Sequence, residues 1–304
     1  MDTALGTFPL PERRRVSGLS FGGMRSVRRG SGSDVAGSRP YQPGDDVRTI
    51  DRHASARLSS AHGRDEFVVR QTFADEAARV VVVLDRRPSM ALFPGELPWL
   101  HKPAALAAIA SLIRRSASEA LCVTGHLELD GAGDATWLVP GRASAEQLED
   151  AAAGTRFDAP EDVLDHALAH LAAQARLPSG SFVFLVSDFL APPADDAIGD
   201  ALARRWQLVP VVVQDPVWER SFPEVSGAVL PVRDPVTGRV RAVRLSRKES
   251  RARREAHEQR WAETLGRFEL FDLDPVVVDS HRPEEILESF MEWADRAGGV
   301  GGRL

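Results

Sequence analysis

The chain has 304 residues, 43% hydrophobic and 27% charged, the balance of a globular protein and not of a disordered or fibrous one. Its one cysteine, Cys122, excludes an intramolecular disulfide framework and a cysteine-rich zinc site, and fits a reducing compartment. A net charge of −6 argues against a protein that wraps duplex DNA. No apolar run approaches the roughly 20 residues of a membrane span, so the expectation is a cytoplasmic protein.

Charge divides the chain. Residues 1–70 hold 12 Arg against 8 Asp or Glu, net +4, which leaves −10 for residues 71–304. Lys102 and Lys248 are the only lysines. The first part is rich in Gly, Ser and Arg, as in Arg13-Arg14-Arg15 and Arg28-Arg29-Gly30-Ser31-Gly32, and its lack of periodicity predicts loops and short strands over helices. A domain plan of an arginine-rich segment over 1–75, an α/β domain over 76–297 and a flexible tail over 298–304 follows.

From Arg79 onward the pattern is regular. Val80 to Leu84 is a β-branched run ending in Asp85 and reads as a strand buried on both faces. Pro103 sits where a first helical turn accepts it, predicting a helix over Ala104 to Ala117. Strands are predicted over Leu121 to Leu129 and Thr136 to Val139, then helices over Ser144 to Ala152 and Glu161 to Ala175. Phe182 to Val186 is a further buried strand, ending in Ser187-Asp188, and Ala194 to Arg204 a helix. A strand follows over Gln207 to Val213, then a hairpin of Val229 to Val232 and Val240 to Val243 around Asp234-Pro235-Val236-Thr237-Gly238. A charged helix over Ser246 to Phe268, a strand at Val276 to Val278 and a helix over Pro283 to Ala297 close the chain. Strands alternating with helices predict a mostly parallel sheet covered on both faces, with ligands gathering at the carboxyl ends of its strands. Two strands end there in aspartate, Asp85 and Asp188.

The sequence contains no G-x-G-x-x-G after a strand and no G-x-x-x-x-G-K-[ST], and no G-x-S-x-G elbow occurs within residues 76–297. Cys122 reads as a structural thiol, and His166 with His170, spaced i, i+4 without a flanking Glu, as surface or packing residues. The remaining lead is Asp85-Arg86-Arg87-Pro88-Ser89-Met90. A D-x-S-x-S loop at a strand end supplies the oxygen ligands Mg²⁺ prefers, but here Arg87 stands at the first serine position. A guanidinium cannot ligate a metal; it can pair with Asp85 or Asp188 and neutralise them instead.

Arg39-Pro40-Tyr41-Gln42-Pro43-Gly44-Asp45-Asp46-Val47-Arg48-Thr49-Ile50-Asp51, followed by Ala54-Ser55-Ala56-Arg57, resembles the signature of the bacterial domain of unknown function 58. Ser26 to Gly32, Glu76, the strand into Asp85, Ser89-Met90, Ser187-Asp188-Phe189, Asp215-Pro216 and Asp234 to Gly238 occur in the family's order. The resemblance implies a von Willebrand factor type A-like, Rossmann-like α/β domain with a metal-ion-dependent adhesion site, carried over here to Asp85, Ser89, Thr155 and Asp188. Arg52 stands where the family has an aromatic residue and Arg87 where it has a serine. The implied metal site is therefore degenerate, with Mg²⁺ absent or weakly bound. The family is similar to partners of MoxR-type AAA+ ATPases, which implies a non-enzymatic role in the assembly or activation of other proteins. Two alternatives stand beside it: a divalent-metal-dependent hydrolase using Asp85 and Asp188, and a nucleic-acid or anionic-surface binder using the N-terminal arginines. Within the signature block, Pro43-Gly44 makes a turn, and Arg39, Arg48 and Arg57 can pair with Asp45, Asp46 and Asp51. That crowding suits a structural knot or a partner contact, with Tyr41 and Gly44 beside it.

Overall fold

A computed structural model describes residues 6–11, 29–42, 47–63, 66–73, 79–92, 100–141, 156–174, 177–225, 227, 229–234, 237 and 239–300. In chain order the elements are β1 (Arg29–Pro40), a 3-10 turn (Val47–Thr49), α1 (Arg52–His62), β2 (Val68–Phe73), β3 (Arg79–Leu84), a second 3-10 turn (Pro88–Ala91), α2 (Lys102–Glu119), β4 (Val123–Leu129) and β5 (Ala135–Gly141). There follow α3 (Val163–Gln174), β6 (Phe182–Ser187), α4 (Asp195–Ala203), β7 (Gln207–Val213), β8 (Val229–Arg233), β9 (Val240–Arg244), α5 (Arg247–Leu270), β10 (Val276–Val278) and α6 (Pro283–Val300). The helix expected over Ser144 to Ala152 lies outside the described residues.

The expected α/β architecture is present. Six strands form one sheet in the order β10-β7-β6-β3-β4-β5, parallel except for β5, which returns antiparallel beside β4. The alternation of the strands assigns each side chain to a face. Val80, Val82, Phe184 and Val211 pack with α2 and α6 on one side, and Val81, Val83, Leu185 and Val212 pack with α3, α4 and α5 on the other. From the N-terminal end, Phe8 and Leu10 join the first of these layers. Phe8 lies 4.7 Å from the Phe290 ring and 6.0 Å from Trp293, so this short peptide closes the same core.

The chain lays down β3, β4 and β5 toward one edge, then crosses to build β6, β7 and β10 toward the other. The reversal opens a crevice between the carboxyl ends of β3 and β6, the place where such sheets collect ligands. Asp85 and Asp188 stand at those two ends, with the Asp85 amide donating to the Val186 carbonyl at 3.0 Å.

Two expectations are corrected. The N-terminal part contains a helix, α1, where loops and short strands are expected over helices. Its only buried residue is Ser55, so it has no apolar stripe; caps define it instead, with Asp51 at its start and Gly63 (φ 67) at its end. The last helix runs to Val300, through Gly298 and Gly299, where a frayed tail was expected. Residues 301–304 lie outside the described residues. No helix among the described residues is long and apolar enough to cross a membrane.

Candidate functional site

At the crevice the chain gathers five buried ionisable groups. Asp85 follows β3 and is fully buried, and its Oδ1 accepts the Arg87 backbone N–H at 2.8 Å, folding the loop over the strand end. That turn brings the Arg87 guanidinium back onto the same carboxylate, with Nε and Nη2 donating to Asp85 Oδ2 at 2.8 and 2.5 Å. The guanidinium continues across the gap, donating through Nη2 to Ser187 Oγ at 2.9 Å and Asp188 Oδ1 at 3.3 Å, and through Nη1 to the Ala191 carbonyl at 2.8 Å. It thus links the ends of β3 and β6.

A second cation enters from α2. Lys102 is 0% exposed, and its Nζ donates to Asp188 Oδ2 at 3.1 Å, Glu219 Oε1 at 2.6 Å and the Ser89 carbonyl at 3.2 Å. His101 caps α2, its Nδ1 accepting from Ala104 N, and Pro103 takes the first turn, so the helix start is fixed with Lys102 aimed inward. Glu219 follows β7 on a turn held by Asp215, whose N–H donates to Glu219 Oε2 at 2.8 Å. Asp215 in turn accepts from Val217 N, Trp218 N and Leu100 N.

Hydrogen bonds complete the cluster. Ser187 Oγ donates to Asp85 Oδ2 at 2.7 Å and accepts from Phe189 N, while Leu190 N donates to Asp188 Oδ1. Phe189 takes a left-handed backbone (φ 51), uncommon for a bulky residue. Its ring, buried 5.1 Å edge-on to Phe268, holds it there and sets the direction of the turn. Beside this cluster Arg86 points the other way, to Glu128 on β4 at 2.7 Å, and His126 Nε2 meets the same Glu128 oxygen at 2.7 Å.

Burial works against the charge of both cations, yet Asp85 beside Arg87, and Asp188 with Glu219 beside Lys102, more than offset it and hold both above their usual values. For Asp188 burial opposes ionisation, and Lys102, Arg87 and the Ser89 hydroxyl overcome it, keeping the carboxyl below its usual range. Burial pushes Glu219 up against the pull of Lys102, with the Asp188 charge adding to the rise.

A metal does not fit this arrangement. The space among Asp85, Ser89 and Asp188 is crossed by the Arg87 guanidinium and the Lys102 ammonium, which are donors only and cannot ligate a cation. Among the described residues no group of three His, Cys, Asp or Glu is arranged to hold one. Thr155 lies outside the described residues. The sequence singled out Asp85, Arg87, Ser89 and Asp188, which the fold brings together. It missed Lys102, noted only as one of two lysines, together with Ser187 and Glu219. A lysine heading an otherwise apolar helix was the available signal for the first.

In the signature block the structure describes fewer residues. Gly44, Asp45 and Asp46 lie outside the described residues, as does the side chain of Arg48 within its 3-10 turn. Asp51 caps α1, its Oδ1 accepting from His53 N and Ala54 N at 3.0 Å, and Asp51 N donates to the Val68 carbonyl, joining the cap to β2. Tyr41 N donates to the Phe67 carbonyl at 2.8 Å, Arg39 Nη1 reaches the Pro40 carbonyl, and Arg57 is exposed on α1. Replacing Asp51 by Ala is expected to lower stability by about 1 kcal/mol through loss of the cap, measurable by denaturant unfolding with unchanged slope. Arg13, Arg14, Arg15 and Arg28 lie outside the described residues. His166 is exposed near Asp162, and His170 packs edge-on to Trp137 at 6.0 Å.

A family model described as "Protein of unknown function DUF58" matches residues 37–264. Among curated proteins, uncharacterized protein Rv1480 of Mycobacterium tuberculosis and uncharacterized protein Mb1516 of Mycobacterium bovis are each 29% identical over 230 residues, covering 75% of this chain and 69% of theirs. Among solved structures, the conserved hypothetical protein BatB from Bacteroides thetaiotaomicron aligns at 17% identity and TM-score 0.41, over 72% of this chain and all of that one. An aerotolerance-related membrane protein from Bacteroides fragilis aligns at 14% and 0.42 with the same coverage. Likeness at that level carries no argument about function.

Proposed function

The chain belongs to the DUF58 family, and from that premise we propose that it is a non-enzymatic protein-interaction module built on a von Willebrand factor A-like domain. Its adhesion-type site has its own cations in the metal's place. The observation that carries this reading is the pair of ion bridges at the crevice, Arg87 between Asp85 and Asp188 and Lys102 between Asp188 and Glu219. Both aspartates are fully buried with their oxygens committed to donors. Metal-assisted hydrolysis at Asp85 and Asp188 has no support in that geometry, because neither carboxylate is open to a water or a metal.

The built-in charges give the crevice a fixed electrostatic state. Where an adhesion site waits for a divalent ion to complete its surface, Arg87 and Lys102 complete this one as the chain folds. Partner binding at this face is then constitutive with respect to Mg²⁺. The partner proposed is a MoxR-type AAA+ ATPase acting in assembly or activation of other proteins, in a cytoplasmic setting. Affinity capture with the full chain in Mg²⁺–ATP is expected to retain such an ATPase. Repeated capture that recovers none would sink the reading.

A further inference from the structure

A strongly basic stretch of the described surface lies at none of the sites considered so far. Residues 239–254 carry seven Arg and one Lys against one Glu, net +7 in a chain of −6. They span β9 and the first turns of α5. Arg251 pairs with Glu255 and Arg254 with Glu224, but among the described residues Arg239, Arg241, Arg244, Arg247 and Lys248 have no acidic partner and are exposed. The Ser246–Glu249 capping box starts α5 directly after β9 and fixes the two basic segments end to end.

The ribbon beneath this charge is unfinished as a sheet. Among the described residues β8 and β9 pair only with each other, with Val229 opposite Arg244, Pro231 opposite Ala242 and Arg233 opposite Val240. An isolated two-stranded ribbon is marginal in water. Alternation places Val229, Pro231, Val240 and Ala242 on one face together with Arg244, and Arg239 and Arg241 on the other; Val229 is 59% and Val240 55% exposed. Pro231, which has no N–H, blunts the β8 edge, whereas β9 contains no proline and no strand among the described residues pairs with its outer edge. The segment 229–254 contains no Phe, Trp or Tyr on which a nucleobase could stack, and phosphates alone would leave the valines in water. Backbone edge, β-branched face and arginine row together suit a peptide.

We propose that the open edge of β9 docks an acidic, extended segment of a partner protein, added as a third strand whose carboxylates meet Arg239 and Arg241 on one face and whose apolar residues cover Val240 and Ala242 on the other. Main-chain bonds to the edge supply affinity and the alternating side chains supply selectivity. The arginine row also accelerates encounter and makes it salt-dependent. This surface is independent of the crevice, so its failure leaves the Arg87 and Lys102 reading untouched.

The test measures binding of a labelled, end-capped peptide of alternating Glu and Val to the full chain by fluorescence anisotropy. A duplex DNA oligonucleotide and phosphatidylglycerol vesicles are run beside it. The peptide is expected to bind saturably and to weaken roughly tenfold or more in Arg239→Glu/Arg241→Glu. Weakening of several-fold is expected in Val240→Thr, which keeps every charge. Unchanged circular dichroism and unfolding midpoints in both variants exclude misfolding, since all three positions are exposed. No saturable peptide binding, or affinity unmoved by charge reversal, overturns the proposal. So does binding of DNA or vesicles as tight as the peptide and insensitive to the threonine variant, which would assign the patch to polyanions. Self-association abolished by the same charge reversal would assign it to a second copy of the chain.

Discussion

Replacing Lys102 by Met is expected to destabilise the fold by about 3–5 kcal/mol, the cost of leaving buried carboxylates without their cation. Methionine has nearly the length of the lysine stem, so little cavity is created and the loss reports charge. Lys102 is fully buried and is the shared partner of Asp188 and Glu219. Without it, Arg87 at 3.3 Å is the one cation left to Asp188, beside the Leu190 amide and the Ser89 hydroxyl, and Glu219 keeps the Asp215 amide. The effect carries a pH signature. In the wild type Asp188 sits below its ordinary pKa of 3.8, so its contribution is present above that value and is lost as pH falls through the lower folded pKa. In the variant, burial acts on Asp188 with one cation fewer and its pKa rises. Protonation then relieves the uncompensated charge, and the deficit measured by denaturant unfolding should be smaller near pH 4.5 than at pH 7. A deficit equal at both pH values would indicate lost packing and not lost charge compensation.

The second large effect is a gain of function. Arg87→Ser restores a hydroxyl at the position where a D-x-S-x-S loop supplies one, but it leaves the Lys102 ammonium on Asp188. Divalent-ion binding should therefore need both cations removed, as in Arg87→Ser/Lys102→Ala. Without metal, that variant should be less stable than either single one, since Asp85, Asp188 and Glu219 then crowd one buried space with no counter-charge. With Mg²⁺ or Mn²⁺ at a hundred times the dissociation constant it should recover about 2.7 kcal/mol. The single variants should recover far less, a non-additivity that arises because both side chains occupy one place.

Much of this was legible in the sequence because the central strands are buried on both faces. Val80 to Leu84 and Phe182 to Val186 are short β-branched or aromatic runs ending in aspartate, and the fold sets their ends side by side. Arg87 was visible as a guanidinium where a hydroxyl belongs. Lys102 was not legible as a site residue, because its partners Asp188 and Glu219 come from β6 and from the turn after β7, 86 and 117 residues away in sequence. Glu219 itself lies in a loop with no periodicity, placed only by the Asp215 turn. Helix α1 escaped for another reason: with one buried residue it has no apolar stripe, and the signals that mark it, Asp51 and Gly63, are turn-forming residues that also read as loop. The basic row of β9 and α5 was visible as composition, but its open edge follows only from the sheet pairing.

Calorimetric titration of Mg²⁺ and Mn²⁺ into the metal-stripped full chain tests most directly whether the chain's own cations hold the adhesion-type site. Expected is no saturable heat and no rise in unfolding temperature for the wild type, and saturable binding with a raised unfolding temperature for Arg87→Ser/Lys102→Ala. Saturable Mg²⁺ binding by the wild type, stabilising it and abolished by Asp85→Asn, would contradict that assignment and return the crevice to metal chemistry.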